Sequence, residues 1–461
     1  MGARPAGLFA AQALVRRHPR VQVDVIDRLA APFGLLRYGV PLDHPSLRGV
    51  GRALAAPFES GRVRFLGPVE FGRTLTCAEL LSGYEAVIYA AGAAEERRLG
   101  VPGEDAPGRV SAREFVAWGC GHPDATPVPL EGVRSVATFG VGHVAADVAL
   151  LLGRDPSVLA SAGAPRAIVD ALSAGTLRDV WVFGRRGPQH ASFGAQQLRE
   201  LLTLEGVQPV IDASDLYGID ESGLDDRVRA NLAALREAST RHVPDPRLRV
   251  HFEFWRRPAE IIGGAAVRGL ILERTRLDAD GGLRGTGEAM GVASQLVLSA
   301  PRYRGWRIPG VPFDEMRGVI PNIDGRVVTM KGQACRGEYV VGWIKPGPAG
   351  LFGTTEAEVA ATVDVVLADL EAGRLSSPGG PDAAQRLARL GVRVSTFADW
   401  WELEADAWAR GAAAGSAEAR VAGWHQLTDL VRYGRGGGPL ECEPGATRDC
   451  QELLPGAQQL G

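Results

Sequence analysis

Lysine is almost missing from this chain: Lys331 and Lys345 stand against 49 arginines, and there are 60 glycines in 461 residues. That is the habit of a genome rich in G and C, so an arginine cluster carries little weight by itself. At this glycine content one G-x-G-x-x-G is expected by chance about once in the chain. Excess charge is also lacking. A formal net charge of −3 and a pI near 6.3 exclude a global pull toward nucleic acid or anionic lipid. No run approaches the roughly 20 apolar residues of a membrane span. The five cysteines, at 77, 120, 335, 442 and 450, form neither C-x-x-C nor a paired metal-ligand spacing. A disulfide scaffold, a zinc site and a dithiol reductase are thereby excluded, and a reducing, cytoplasmic setting fits.

What is present is a repeated alternation of helix and strand. Residues 1–23 hold no acid and several arginines, superficially like a transit peptide. The better reading is an apolar helix over 6–15 and an alternating strand over 21–26. A Pro/Gly-rich connection covers 30–45, a buried strand 86–90, and a hinge-like Pro/Gly segment 102–108. A second α/β pattern then begins, with strands at 135–139 and 180–183 and helices at 144–152 and 193–204. Further strands are expected at 249–254, 267–274 and 296–299, and after 338 a strand, a Gly-Pro loop and a helix over 355–371. Strands alternating with helices argue for parallel, doubly wound sheets. Residues 374–384 read as linker, 385–432 as a helical appendix and 434–461 as a disordered tail.

Two nucleotide motifs stand out. The strand 135–139 runs into Gly140-Val141-Gly142-His143-Val144-Ala145-Ala146-Asp147, a G-x-G-x-x-A turn with a helix directly behind it. The first glycine makes the turn, the second lets a pyrophosphate approach the backbone, and the helix N-terminus offers N–H groups and positive dipole. The next buried strand ends in Gly184-Arg185-Arg186. An acid there would bond a free ribose 2′-hydroxyl, whereas arginines accept a 2′-phosphate, so NADP(H) is favoured over NAD(H). The other motif, Gly2-Ala3-Arg4-Pro5-Ala6-Gly7, resembles G-x-G-P-A-G with arginine at the middle glycine. Asp27 stands at the end of the following strand, where an acid would hold an adenosine ribose. No strand precedes this turn, as if a first strand of roughly six residues were deleted. Arg4 sets a bulky side chain where backbone should meet phosphate.

The landmarks Pro32-Phe-Gly-Leu-Leu-Arg-Tyr-Gly-Val40, Asp43-His44-Pro45, Pro102-Gly-Glu-Asp105, Gly140 to Asp147, Gly184-Arg-Arg-Gly-Pro188, Leu198-Arg-Glu-Leu201 and Glu338 to Lys345 occur in one order. In that order and spacing the chain resembles the adrenodoxin-reductase-like ferredoxin–NADP⁺ reductases, FAD enzymes related to glutathione reductase, here with the N-terminal strand lacking. The resemblance implies an α/β protein with two Rossmann-like dinucleotide-binding domains, the NADP domain inserted into a discontinuous FAD domain. Residues 1–103 would form the first part of the FAD domain, 104–318 the NADP domain, and 319–433 the second part with its appendix. Hydride would pass from NADPH to the flavin, and electrons singly to a ferredoxin-type iron–sulfur partner. The chain is expected to act as a monomer in the cytoplasm.

By motif position the resemblance assigns FAD contacts to Ala6, Gly7, Asp27, Leu35, Val69, Trp343, Gly350, Leu351 and Phe352. NADPH would meet Val141, Gly142, His143, Val144, Arg185, Arg186 and Gln197, with Arg97 and Gly350 also reaching the dinucleotide. His44 and Glu200 match a His and a Glu beside the nicotinamide, with a proton-handling or orienting role. Several positions depart from the pattern. Gln197 replaces a glutamate, Pro301-Arg302 replaces a flexible segment before Tyr303, Asp27 is one methylene shorter than the usual Glu, and Arg4 replaces glycine. Because the departures gather on the flavin side, a flavin-deficient, catalytically impaired NADP(H)-binding homologue stands as the alternative to an active reductase. An iron–sulfur electron-input subunit is excluded by the lack of an N-terminal cysteine cluster.

Overall fold

Pro5 opens the first helix where its missing N–H costs nothing, and Leu8, Ala11 and Val15 give that helix an apolar face to bury. The helix, α1, runs Pro5–Arg17 and ends on two arginines that suit its C-terminal dipole. In a computed structural model of the chain the described residues are 1–34, 53–93, 95–96, 98–122, 124–162, 164, 166–300, 303–346, 352–402 and 405, without the side chains of 352–354. Strand β1 (Val23–Ile26) is followed by β2 (Val63–Leu66), which lies parallel to it. Helix α2 (Cys77–Gly83) starts on a capping box of Thr76 and Glu79. β3 (Val87–Tyr89) and the two-residue β4 (Glu95–Glu96) complete this first part.

The middle of the chain builds a sheet of its own. In order come β5 (Arg109–Ser111), α3 (Ala112–Gly119), β6 (Ser135–Phe139), α4 (His143–Gly153), the short α5 (Pro156–Ser161) and α6 (Arg166–Ser173), and β7 (Asp179–Phe183). Then follow α7 (Ala195–Thr203), β8 (Val207–Ile211), α8 (Asp226–Thr240), β9 (Leu248–Glu253), β10 (Arg256–Gly263), β11 (Val267–Leu277), β12 (Leu283–Ala293) and β13 (Leu296–Ser299). Six of these strands pair in the order β5-β13-β6-β7-β9-β8, all parallel. Every residue of β6 is buried, as an inner strand requires when helices cover one face and the β10–β12 meander covers the other, where Ala137 and Phe139 pack with Ile261, Leu270 and Leu272. The strands β10, β11 and β12 form a separate antiparallel meander. Sequence patterning misses β12 because it is largely exposed and holds Gly285, Gly287 and Gly291; pairing with β11 supplies what its side chains do not.

The chain returns through β14 (Tyr303–Arg304), antiparallel to β4, and continues with β15 (Asn322–Ile323), β16 (Arg326–Val328), β17 (Ala334–Val340), α9 (Phe352–Glu371) and α10 (Ala383–Arg389). β17 lies parallel to β3 in a sheet ordered β15-β16-β17-β3. One doubly wound unit is thus set inside another, the two crossings lying side by side at β4 and β14.

Two expectations change. Segment 102–108 is pinned rather than hinge-like: Ile261 donates its amide to the Pro102 carbonyl (2.9 Å) and Val267 to that of Pro107 (2.8 Å). Buried Glu104 there accepts from the amides of Leu99 and Gly100 at 2.5 and 2.8 Å. Burial works against its charge, yet those amides with Arg98 and Arg109 hold the carboxyl below its ordinary range. Segment 374–384 is likewise docked, with the Arg336 guanidinium bonded to the Arg374 carbonyl (2.6 Å) and the Gly380 amide to Ser82 (2.8 Å). Most of the expected appendix and the whole tail lie outside the described residues. Among the described residues no helix is long and apolar enough to cross a membrane.

Candidate functional site

At the end of β6 the chain turns on Gly140, whose φ of 132° lies in the region open to glycine, and a Cβ there would meet the Ala300 carbonyl oxygen at 2.7 Å. The Gly140 amide donates to the Phe183 carbonyl (3.0 Å), and the Val141 carbonyl accepts from Ser192 and Phe193 at 2.7 and 3.2 Å. The turn is therefore held from both sides. Gly142 caps α4 without a side chain, so the amides of its first turn point outward beside Val141, Gly142, His143 and Val144. That is a ready site for a diphosphate.

Gln197 does something different from what its motif position implies. Its Oε1 lies 2.7 Å from His143 Nδ1 and accepts from the Gly194 amide at 3.1 Å, while its Nε2 donates to Asp147 Oδ1 at 2.7 Å. It ties α7 to the first turn of α4. Burial pushes the Asp147 carboxyl up to about 7; Gln197 draws it down and nearby Glu200 raises it further. Glu200 is not brought to the phosphate turn. It is paired with Arg154 at the far end of α4, where Arg154 is almost fully buried.

β7 ends at Gly184, and Arg185 and Arg186 follow, Arg185 exposed and Arg186 half-buried. The Nε of Arg186 is buried with no hydrogen-bond partner, and so is that of Arg256, whose amide bonds the Gly184 carbonyl at 2.9 Å. Two orphaned guanidinium donors beside one strand end are what a 2′-phosphate would satisfy. The arginine pair was legible in sequence; Arg256 was not, because it reaches the site from β10.

In the outer unit, Gly2 donates its amide to Ile26 (2.7 Å), and Asp27 stands at the end of β1 as expected. Its two oxygens accept from the amides of Ala3 and Leu29 at 2.7 and 2.9 Å, fastening the turn to the strand end. Val69 donates its amide to the Asp27 carbonyl (2.8 Å). Gly342, next to half-buried Trp343, packs so closely on α1 that a Cβ would meet the Ala6 methyl at 2.7 Å. Ala6, Gly7, Asp27, Val69 and Trp343 are thus gathered around one turn.

Arg4 lies across the floor of that turn: a Cβ on Gly34 would meet its Cγ at 2.6 Å, and one on Gly92 its Nη1 at 3.5 Å. Burial pulls its guanidinium down, Asp27 pushes it up and Arg28 pulls it down again. Its carbonyl accepts from the Leu8 amide at 3.1 Å, while no hydrogen bond or ion pair joins its guanidinium to a described residue. Arg113 is drawn down to about 10 by burial and then by Arg4. A cationic cleft at a helix N-terminus, over glycines, fits the anionic centre of a dinucleotide, with Arg4 interposed where bare backbone was expected. Leu35, His44, Arg97, Arg302, Gly350 and Leu351 lie outside the described residues, and of Phe352 only the helical backbone is described.

No family model matches the chain. It is 35% identical over 457 residues to the NADPH-ferredoxin reductase FprA of Mycobacterium tuberculosis, covering 95% of this chain and 98% of that protein. It is 34% identical over 454 residues to human mitochondrial NADPH:adrenodoxin oxidoreductase, covering 94% and 91%. Among solved structures, Mycobacterium tuberculosis FprA in complex with NADPH superimposes with a TM-score of 0.87 at 35% identity, over 94% of this chain and 98% of that one.

Proposed function

The chain belongs to the adrenodoxin-reductase-like family of NADPH–ferredoxin reductases, and from that premise we propose an FAD-dependent oxidoreductase that draws on NADPH to reduce a ferredoxin-type iron–sulfur protein. The observation that carries this reading is the pairing of two strand–turn–helix units. One has an acid, Asp27, at the end of its next strand; the other has Arg185 and Arg186. The first suits a cofactor with a free ribose, the second one with a 2′-phosphate. When bound, FAD would take hydride from NADPH and release electrons one at a time.

The chain's own residues bind and orient. Val141 to Val144 and the α4 N-terminus would hold the NADPH diphosphate, Arg185, Arg186 and Arg256 its 2′-phosphate. Gln197 would set the tilt of α4 by bridging His143 and Asp147. Ala6, Gly7, Asp27, Val69 and Trp343 would border the flavin nucleotide, joined by Leu35, Gly350, Leu351 and Phe352, and Arg97 would reach NADPH. Arg4 would serve as counter-ion to the FAD diphosphate. His44 keeps its proposed place beside the nicotinamide. Glu200, engaged by Arg154, is a packing residue in this reading. We read 1–103 with 319–433 as the FAD domain of a cytoplasmic monomer.

The position of Arg4 across Gly34 and Gly92 also supports the second reading, a homologue that binds NADP(H) without flavin. Purified protein titrated with FAD and then given NADPH and a ferredoxin decides between them. A yellow, FAD-retaining protein that reduces ferredoxin is expected; a colourless product that takes up no FAD on titration would refute the reductase reading.

A further inference from the structure

Two short strands carry the chain between the units. β4 leads out of the outer unit and β14 leads back, and they pair through two residue pairs only, Tyr303 with Glu96 and Arg304 with Glu95. That is a weak hold, since even a full isolated hairpin is marginal in water. Glu95 and Arg304 add an ion pair at 2.8 Å, but both side chains are open to solvent and such pairs contribute little. The Arg28–Asp124 pair, which also joins the units, is open to solvent as well.

Glu96 is placed differently. Its side chain is only 13% exposed, and its Oε1 accepts from Arg109 Nη2 at 2.9 Å and from the Ser299 hydroxyl. Arg109 opens β5 and the fully buried Ser299 ends β13, the neighbouring strand of the inner sheet. Arg109 also stands 3.5 Å from Glu104, which the Leu99 and Gly100 amides hold in place. Burial lifts the Glu96 carboxyl, and Ser299 and Arg109 draw it back down.

The residue after Ser299 is a wall of the inner nucleotide turn. Ala300 donates its amide to Phe139 at 2.8 Å, and its carbonyl oxygen is the atom that a Cβ on Gly140 would strike. Four residues before Glu96, Gly92 lies beneath Arg4 in the outer turn, where a Cβ would come 3.5 Å from Nη1. Four residues reach at most about 14 Å. Within that length the chain passes from one nucleotide turn to the other, and Glu96 fastens it to the second.

We propose that Glu96 is a positioning residue. Held by Ser299 and Arg109, its carboxylate fixes the Gly140 turn against the Arg4 turn, and with them the approach of a nicotinamide bound at the one to a flavin bound at the other. The kinetic consequence rests on the reductase reading; the clasp itself does not. Reacting atoms must stand about 3–3.5 Å apart, and a misplacement of about 1 Å can slow a reaction a hundredfold. Glu96 bonds no residue assigned to either cofactor, so its loss slows the transfer without weakening binding.

The test puts spin labels on Arg73→Cys and Asp226→Cys, exposed positions of the outer and inner units, in a chain with Cys335, Cys442 and Cys450 changed to serine. Without cofactor, Glu96→Ala is expected to widen the distribution of label distances at least twofold. Glu96→Gln keeps an acceptor for both donors and should keep the parent's width. In the FAD-loaded chain, Glu96→Ala should slow flavin bleaching by NADPH at least tenfold, with the Kd values for FAD and NADPH within threefold of the parent's. Glu96→Gln should restore most of that rate. Ser299→Ala, which removes one donor, is the milder variant if Glu96→Ala does not fold, and should widen the distances in the same way. Parent-like distances in Glu96→Ala would overturn the inference, and so would a widened distribution with an unchanged rate of bleaching. A chain that takes up no FAD refutes the reductase reading instead, and the label distances then decide the clasp.

Discussion

Asp147 sits one turn into α4, where a carboxylate ordinarily gains about 0.3–1 kcal/mol from the helix dipole. Burial outweighs that gain and holds its carboxyl at about 7 in the fold, against 3.8 as its ordinary value. Between those two pH values the folded chain keeps a proton that the unfolded chain has lost. Stability therefore falls as pH rises through the window, by about 1.4 kcal/mol per pH unit. From pH 5 to pH 8 most of the loss lies below 7, a total of about 2–3 kcal/mol. Asp147→Asn keeps an acceptor for Gln197 Nε2 and removes the titration. Urea unfolding of both proteins at pH 5 and pH 8 is the assay. The advantage of the variant over the parent should be about 2–3 kcal/mol larger at pH 8 than at pH 5. A stability difference that is the same at both pH values would refute the reasoning. Since the turn above Asp147 is the proposed diphosphate seat, NADPH should also bind more weakly to the parent at pH 8 than at pH 6, and the variant should lose much of that slope.

Arg185→Ala combined with Arg186→Ala removes two charged donors, each worth about 1.5–3 kcal/mol. The Kd for NADPH should rise at least tenfold while that for NADH barely moves; equal effects would sink the 2′-phosphate assignment. Arg4→Ala should weaken FAD binding about tenfold or more if its guanidinium is the counter-ion of the diphosphate, and tighter binding measured by fluorescence titration would favour obstruction. Glu200→Gln loosens the pair with Arg154 and should lower stability by about 1–2 kcal/mol, given a partly exposed carboxylate. Its pH profile for ferredoxin reduction should match the parent, and a displaced profile would return Glu200 to proton handling.

Strand β6 and its turn were readable because three demands coincide within thirteen residues: burial on both faces, a glycine turn and an immediate helix. The arginines after β7 were readable for a similar reason, since the next strand of such a unit always ends beside the first. Asp27 was legible by the same spacing, yet its use was not: both oxygens hold backbone of the turn, a contact across 24 residues that no local pattern encodes. Segments 102–108 and 374–384 carry the composition of loose connections. They are fixed because Ile261, Val267, Ser82 and Arg336 happen to present partners to their backbones.

The sequence by itself determined the class of protein, the order of its elements and the identity of its two nucleotide turns, because these depend on periodicity and spacing along the chain. Only the tertiary structure decided that Glu200 faces Arg154, that Arg256 stands with Arg186, and that Arg4 lies over Gly34 and Gly92. Each of these is a meeting of residues far apart in the chain, and its energy comes from burial and from polar groups left with or without partners.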